Sequence, residues 1–271
     1  MPGRVLCGSR GKRGSSPRVR WGIEWKLARA RFLAKTGKRA AVSGRSGWAA
    51  RLVSRILLAL VAAVLAGYLF CCLALVALRW MRPWTTSVQM ERRVQALIHH
   101  TPYRKRYEPV PLASISPNLQ HAVIAAEDGR FYQHHGIDWQ AVDEVVEKDL
   151  EQGRVGRGGS TITQQLVKNL FATTSRSWLR KIFEFSLAPV AEAILGKQRI
   201  LDLYLNVIEW GPGIYGAQAA AGNYYHTSAA RLTREQSAHL AAIIPNPRRR
   251  KVSRMNDYSA EILLRMRQMG W

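Results

Sequence analysis

Apolar and polar positions along this chain recur mostly at helical spacing. One uninterrupted apolar run stands apart: residues 56–78, 23 positions without a charge. At about 1.5 Å per residue it reaches roughly 34 Å, enough to cross a bilayer core. A cleaved signal peptide would have a shorter apolar stretch nearer residue 1. Beyond the run, a short helical pattern covers 88–98, and 103–117 is a proline-punctuated connector. Helical patterns follow at 118–126 and at 139–152, the second acidic and amphipathic. Residues 153–159 form a Gly- and Arg-rich loop of the kind that can serve as a lid. Helices are then expected after an N-cap at Ser160, through 186–195 despite Pro189, and over 198–206, 232–244 and 258–269. Pro245-Asn246-Pro247 separates the last two. Hardly any segment alternates with period two, so the expected class is mainly α.

Charge changes this picture chiefly at one end. The 271 residues carry a formal net charge of +23. Residues 1–55 hold fifteen Arg or Lys against the single acid Glu24 and supply about +14 of it. Gly and Ser are frequent there, so the segment reads as a mostly disordered basic tail. Trp21, Trp25, Ala28 and Phe32 recur at helical spacing within it, which suits a helix lying on an anionic membrane as well as it suits a coil with scattered aromatics. The basic side of a span stays cytoplasmic, which would export everything after Trp80. Trp80 and Trp84, with Arg79 and Arg82, read as an interfacial belt. The expected organisation is therefore a cytoplasmic tail at 1–55, a transmembrane helix at 56–78, a connector at 79–117 and a main domain at 118–271. Cys7, Cys71 and Cys72 all lie outside the exported part, which excludes a disulfide framework there. No CxxC or HExxH string suggests a zinc site.

The candidate chemistry gathers at 158–184. Gly158 and Gly159 break the preceding element, and Ser160 stands where a helix N-cap is expected. Such an N-terminus suits an anion. Ser160, Gln164 and Lys168 are four apart and share a face, while Leu166, Val167 and Leu170 turn toward a core. Arg180 and Lys181 lie within one turn of Glu184, with Lys168 and Arg176 upstream. A solvated face with i,i+4 ion pairs is the plain alternative, worth a few tenths of a kcal/mol per pair. It leaves the double glycine, the hydroxyl run and the paired glutamines unexplained. A second cluster is Glu127-Asp128 at a helix end, followed by Phe131, His134, His135 and Gly136. Aromatic and histidine neighbours can shield a carboxylate and raise its pKa, as a general base near neutral pH requires. His134 and His135 could instead ligate a metal, although no further ligand stands at recognisable spacing.

The string GGSTITQQLVKN followed by RKIFE resembles the peptidoglycan glycosyltransferase family, in the monofunctional form without a transpeptidase domain. The first cluster of that family matches Glu127, Asp128, Phe131, His134 and Gly136, and RILDLYLN, ending at Asn206, resembles a later motif. There Asp202 replaces the usual Glu. Because Leu201, Leu203 and Leu205 read as core, Asp202 is taken as peripheral. The resemblance spans roughly residues 85–270 and implies a lysozyme-like, mainly α fold. It implies polymerisation of lipid II into β-1,4 glycan strands with release of undecaprenyl diphosphate, by a single inverting displacement. Carried over by position, Glu127 is the base acting on the acceptor. Lys168, Arg176, Arg180 and Lys181 bind the donor diphosphate, and Glu184 is the second carboxylate. Ser160, Thr161, Gln164, Gln165 and Asn169 line the same site. The implied inhibitor is moenomycin, which reads the same diphosphate cluster. Implied partners are lipid II, the nascent strand, the bilayer and other cell-wall synthesis or division proteins. The implied place is the bacterial inner membrane, single-pass, with a periplasmic domain. A divalent cation, Mg or Mn, is compatible with a pyrophosphate leaving group, yet no residue cluster demands one.

Other classes account for less. A lytic transglycosylase or lysozyme-type hydrolase would use a Glu as acid but needs no four-cation cluster. A membrane-anchored nucleic-acid binder or scaffold explains the basic tail by phosphate attraction and nothing between Glu127 and Asn206. Transpeptidase-like strings at Ser9-Arg10-Gly11-Lys12 and Lys35-Thr36-Gly37 fall in the tail and read as chance matches.

Overall fold

The computed structural model describes residues 17–152, 159–175, 177–252 and 256–271. The chain divides into two compact units, Met1–Gly67 and Tyr68–Trp271. In the first, helix α1 (Pro17–Leu78) begins much earlier than the expected basic coil allows. Ala, Leu, Arg and Lys dominate the segment before the span, and all four are strong helix formers. Within α1, Trp48–Leu78 is long and apolar enough to cross a membrane, with a mean hydropathy of 2.7 over its best window. Residues 56–67 are all exposed, an apolar surface that lipid rather than water would match.

The second unit starts inside the expected span. Cys71, Leu75 and Leu78 are buried in its core, and the Tyr68 hydroxyl donates to the Ser186 carbonyl at 3.1 Å. The unit continues with α2 (Ser87–Ile98), β1 (Arg106–Tyr107), α3 (Pro117–Glu127), α4 (Trp139–Gln152) and α5 (Ile162–Phe171). Then come α6 (Trp178–Leu195), α7 (Lys197–Val207), β2 (Glu209–Gly211), β3 (Ile214–Tyr215), α8 (Ala217–Tyr225), α9 (Arg234–Ile243) and α10 (Asn256–Gln268). The sheet has the order β1-β3-β2, with β1 parallel and β2 antiparallel to β3.

Helix α5 packs against α6, α7 and α2, while α3 packs against α9 and α10. Leu119, Val123, Leu166, Val167, Leu187, Leu203, Tyr204, Trp210 and Leu240 fill the space between them. Each fully buried aliphatic side chain there contributes about 1.5–3 kcal/mol. Pro189 lies within α6 without ending it, and the Ala188–Pro189 backbone packs closely against Gly136. The connector does not stand apart from the main domain. Asn206 clamps it, accepting from the Val110 N–H at 2.9 Å and donating to the Val110 carbonyl at 2.9 Å. The Ser116 N–H donates to the Ala229 carbonyl at 2.9 Å.

Asp202 corrects an expectation. It is buried rather than peripheral, accepting two hydrogen bonds from Arg82 at 3.1 and 3.2 Å and pairing with Arg199. Arg199 also donates to the Leu78 carbonyl at 2.9 Å. The shorter Asp, set one turn before Asn206, serves as the counter-charge for two arginines holding the segment that follows α1. Leucines on either side of it point elsewhere, because helical neighbours one residue apart lie about 100° round the axis.

Candidate active site

Two helix ends build the site. Helix α3 ends at Glu127, and Asp128 follows as its C-cap. The Asp128 carboxylate is buried and accepts from the Ile162 N–H at 2.9 Å, at the positive start of α5. His134 Nε2 lies 2.9 Å from the same carboxylate. Asp128 and His134 therefore tie the two helix ends together. Gly136 completes the tie. Its carbonyl accepts from Thr161 Oγ1 at 2.7 Å, its φ is +89°, and an added Cβ would lie 2.8 Å from the Ala188 backbone. Phe131 is fully buried beneath, with the Lys197 ammonium 4.5 Å from its ring centroid.

Helix α5 starts one residue later than its sequence suggests. Thr161, not Ser160, is the N-cap, and it forms a capping box with Gln164 at 3.1 Å in both directions. That shift turns the helix. Gln164 is buried in its cap with Thr161, while Gln165, Lys168 and Asn169 face the cleft. Gln165 bridges the site. Its amide donates to Glu127 Oε2 at 2.7 Å and its oxygen accepts from the Tyr204 hydroxyl at 2.9 Å. Asn169 donates to the Gln165 carbonyl at 2.8 Å. Ser160 lies free of the helix and accepts from Lys181 Nζ at 2.9 Å.

Helix α6 supplies the second carboxylate. Glu184 is buried, with Arg180 on one oxygen and Lys181 on the other at 2.9 Å. Arg180 also donates through Nε to the Ser175 carbonyl at 2.6 Å. Arg176 lies outside the described residues, as does most of the expected lid, 153–158.

Glu127, Gln165, Lys168, Arg180, Lys181 and Glu184 line one cleft of about 1050 Å³. Glu127 and Ser160 also border a smaller cavity of about 390 Å³ formed by α3, α4 and α10. Burial pushes the Glu127 carboxyl above its ordinary range, opposed by the Gln165 hydrogen bond and the charges of Lys168 and Arg250. Burial pulls the Lys168 ammonium down, with Glu184 opposing and Arg180 and Lys181 assisting. Lys168 is thus half-buried rather than an exposed cation. A carboxyl whose pKa is raised by burial and a group of cations share the same cleft.

Sequence reasoning missed several lining residues: Arg92, Glu209, Arg248, Arg250, Tyr258 and Arg265. Arg92 pairs with Glu209 at 3.1 Å, across 117 positions of chain. The basic run 248–251 after Pro247 was the available signal for Arg248 and Arg250. Among the described residues no group of three His, Cys, Asp or Glu could hold a metal. His134 is occupied by Asp128, His135 is exposed, and both Glu184 oxygens face cations. This donor set does not fit a resident divalent ion.

A transglycosylase family model matches residues 94–269. Similar proteins named biosynthetic peptidoglycan transglycosylase occur in several bacteria. The one from Bordetella pertussis is 42% identical over 233 residues, covering 79% of this chain and 94% of the relative. That from Thiobacillus denitrificans is 49% identical over 168 residues, covering 61% and 72%. That from Laribacter hongkongensis is 44% identical over 170 residues, covering 63% and 75%. With the cleft built almost wholly from the matched segment and the relatives aligned along most of their own length, this chain belongs to the transglycosylase family.

Proposed function

We propose that this chain is a peptidoglycan glycosyltransferase that polymerises lipid II in bacterial cell wall synthesis. The observation that carries the reading is the pairing of Glu127, its pKa raised by burial, with a cation group around Glu184 in one cleft. In this mechanism Glu127 takes the proton of the acceptor's N-acetylglucosamine 4-hydroxyl. The freed oxygen attacks the anomeric carbon of the donor's N-acetylmuramic acid. The bond from that carbon to the diphosphate oxygen breaks, and the α-linked donor becomes a β-1,4 link. Lys168, Arg180 and Lys181, with Arg176, take up the charge that develops on undecaprenyl diphosphate. Cations already in place need no reorganisation when that charge appears, which commonly supplies the largest catalytic contribution. Gln165 aims Glu127 by its 2.7 Å hydrogen bond and is itself fixed by Tyr204.

Glu184 holds Arg180 and Lys181 on one face of α6. The apolar helix anchors the chain in the inner membrane, with the basic segment before it cytoplasmic and the cleft periplasmic. Such an anchor keeps the cleft beside a substrate that never leaves the bilayer. Labelled lipid II provides the test. Polymer and undecaprenyl diphosphate are expected; cleavage of preformed glycan without polymer would assign the raised carboxyl to a hydrolytic acid instead.

A further inference from the structure

Helix α2 lies ahead of the resemblance's catalytic motifs, yet its one carboxylate, Glu91, reaches the 174–175 turn beside the cation group. Glu91 Oε2 accepts from the Thr174 N–H at 2.7 Å, and Oε1 accepts from the Thr174 hydroxyl at 2.7 Å. A carboxylate engaged at both oxygens fixes orientation as well as distance. Gln95 donates to Glu91 Oε1 at 2.9 Å and accepts from Arg92 at 2.9 Å, which locks the carboxylate on its helix. The residue after Thr174 carries the carbonyl that receives Arg180 Nε at 2.6 Å. Arg180 in turn pairs with Glu184. A continuous path therefore runs from Glu91 through the 174–175 turn to the Arg180 guanidinium. The α2 carboxylate thus fixes the Thr174 backbone and side chain together.

We propose that Glu91 is a positioning residue for donor binding: it sets the 174–175 turn so that Arg180 meets the diphosphate in register. Glu91 touches no substrate and acts through Arg180. The inference rests on the glycosyltransferase reading above. Failure of that reading would show as wild-type protein that makes no polymer from lipid II. Failure of this inference would show only in the variants.

The experiment is a double-mutant cycle on the full-length chain in detergent, with lipid II as substrate. Glu91→Ala is expected to lower kcat/KM roughly 10- to 100-fold, the scale for misplacing one group of a positioned site. The melting temperature of Glu91→Ala serves as the folding control. In an Arg180→Ala background the same Glu91→Ala change is expected to cost less than about threefold, because its route of action is gone. Thr174→Val keeps Glu91 and the backbone N–H but removes one of the two bonds, and it should give a smaller loss with the same dependence on Arg180. Should Glu91→Ala fail to fold, Thr174→Val alone carries the cycle. Equal fold-losses with and without Arg180, or wild-type kcat/KM in both Glu91→Ala and Thr174→Val, would overturn the proposal.

Discussion

Replacing Glu127 with Gln isolates the proton-accepting step from everything else at the site. Glu127 Oε2 accepts from Gln165 Nε2 at 2.7 Å, and Tyr204 holds Gln165 from the other side at 2.9 Å. A Gln at 127 can turn its carbonyl oxygen toward Gln165 and its NH2 toward the cleft. Shape and that hydrogen bond survive; the capacity to take a proton does not. Loss of a general base costs about 10²–10⁴-fold, or roughly 3–5 kcal/mol of barrier. Lipid II polymerisation should fall by that factor, with moenomycin affinity near wild type because the cations are untouched. Glu184→Gln should differ, changing moenomycin affinity along with rate, since Arg180 and Lys181 both lean on that carboxylate.

The pH dependence follows from the direction of the Glu127 shift. Its folded pKa lies above the unfolded value, so the native state binds more protons in between. Stability therefore declines as pH rises from the ordinary carboxylate range through the raised value, and stays at the lower level above it. Glu127→Gln should melt at a higher temperature than wild type at neutral pH, with the gap closing in acid. For the wild type, the acid limb of kcat/KM should lie above the ordinary carboxylate range. A Glu127→Gln enzyme that polymerises lipid II at the wild-type rate would remove the base from the mechanism.

Lys168→Ala should reduce turnover by about 10- to 1000-fold, as loss of one preorganised electrostatic contact does, and measured lipid II kinetics beside a melting curve will separate this from misfolding. Asp202→Ala leaves Arg82 and Arg199 without their counter-charge; because both arginines keep some solvent contact, a cost at the low end for a broken buried pair, about 3 kcal/mol, is expected in denaturant unfolding. Reporter fusions at Ala41 and Trp271 should read cytoplasmic and periplasmic respectively, and a Trp271 fusion active only as a cytoplasmic reporter would reverse the orientation.

Local signals carried much of this protein in its sequence. Apolar spacing located most of the helices because a 3.6-residue period shows in any window of a dozen positions. The membrane-length run was legible from the absence of charge, and Arg180, Lys181 and Glu184 were legible as one group because a helix brings i,i+3 and i,i+4 together without tertiary help. The motif strings carried the family.

What the chain concealed depends on distance in sequence or on a single step of register. Thr161 rather than Ser160 caps α5 because Thr161 can donate to Gly136 while accepting from Gln164, and Gly136 lies 25 residues away. That one-residue shift decides that Gln165, not Gln164, reaches Glu127. The leucines around Asp202 suggest a peripheral side chain, and the arginine partner that reveals its burial, Arg82, is 120 positions distant. Arg92 and Arg250 enter the cleft from elements with no motif of their own, and the Glu91 contact joins α2 to a turn 83 residues later. The raised Glu127 carboxyl belongs to the same class. Its cause is burial, and burial is a property of what the rest of the chain packs around a residue rather than of its neighbours in sequence.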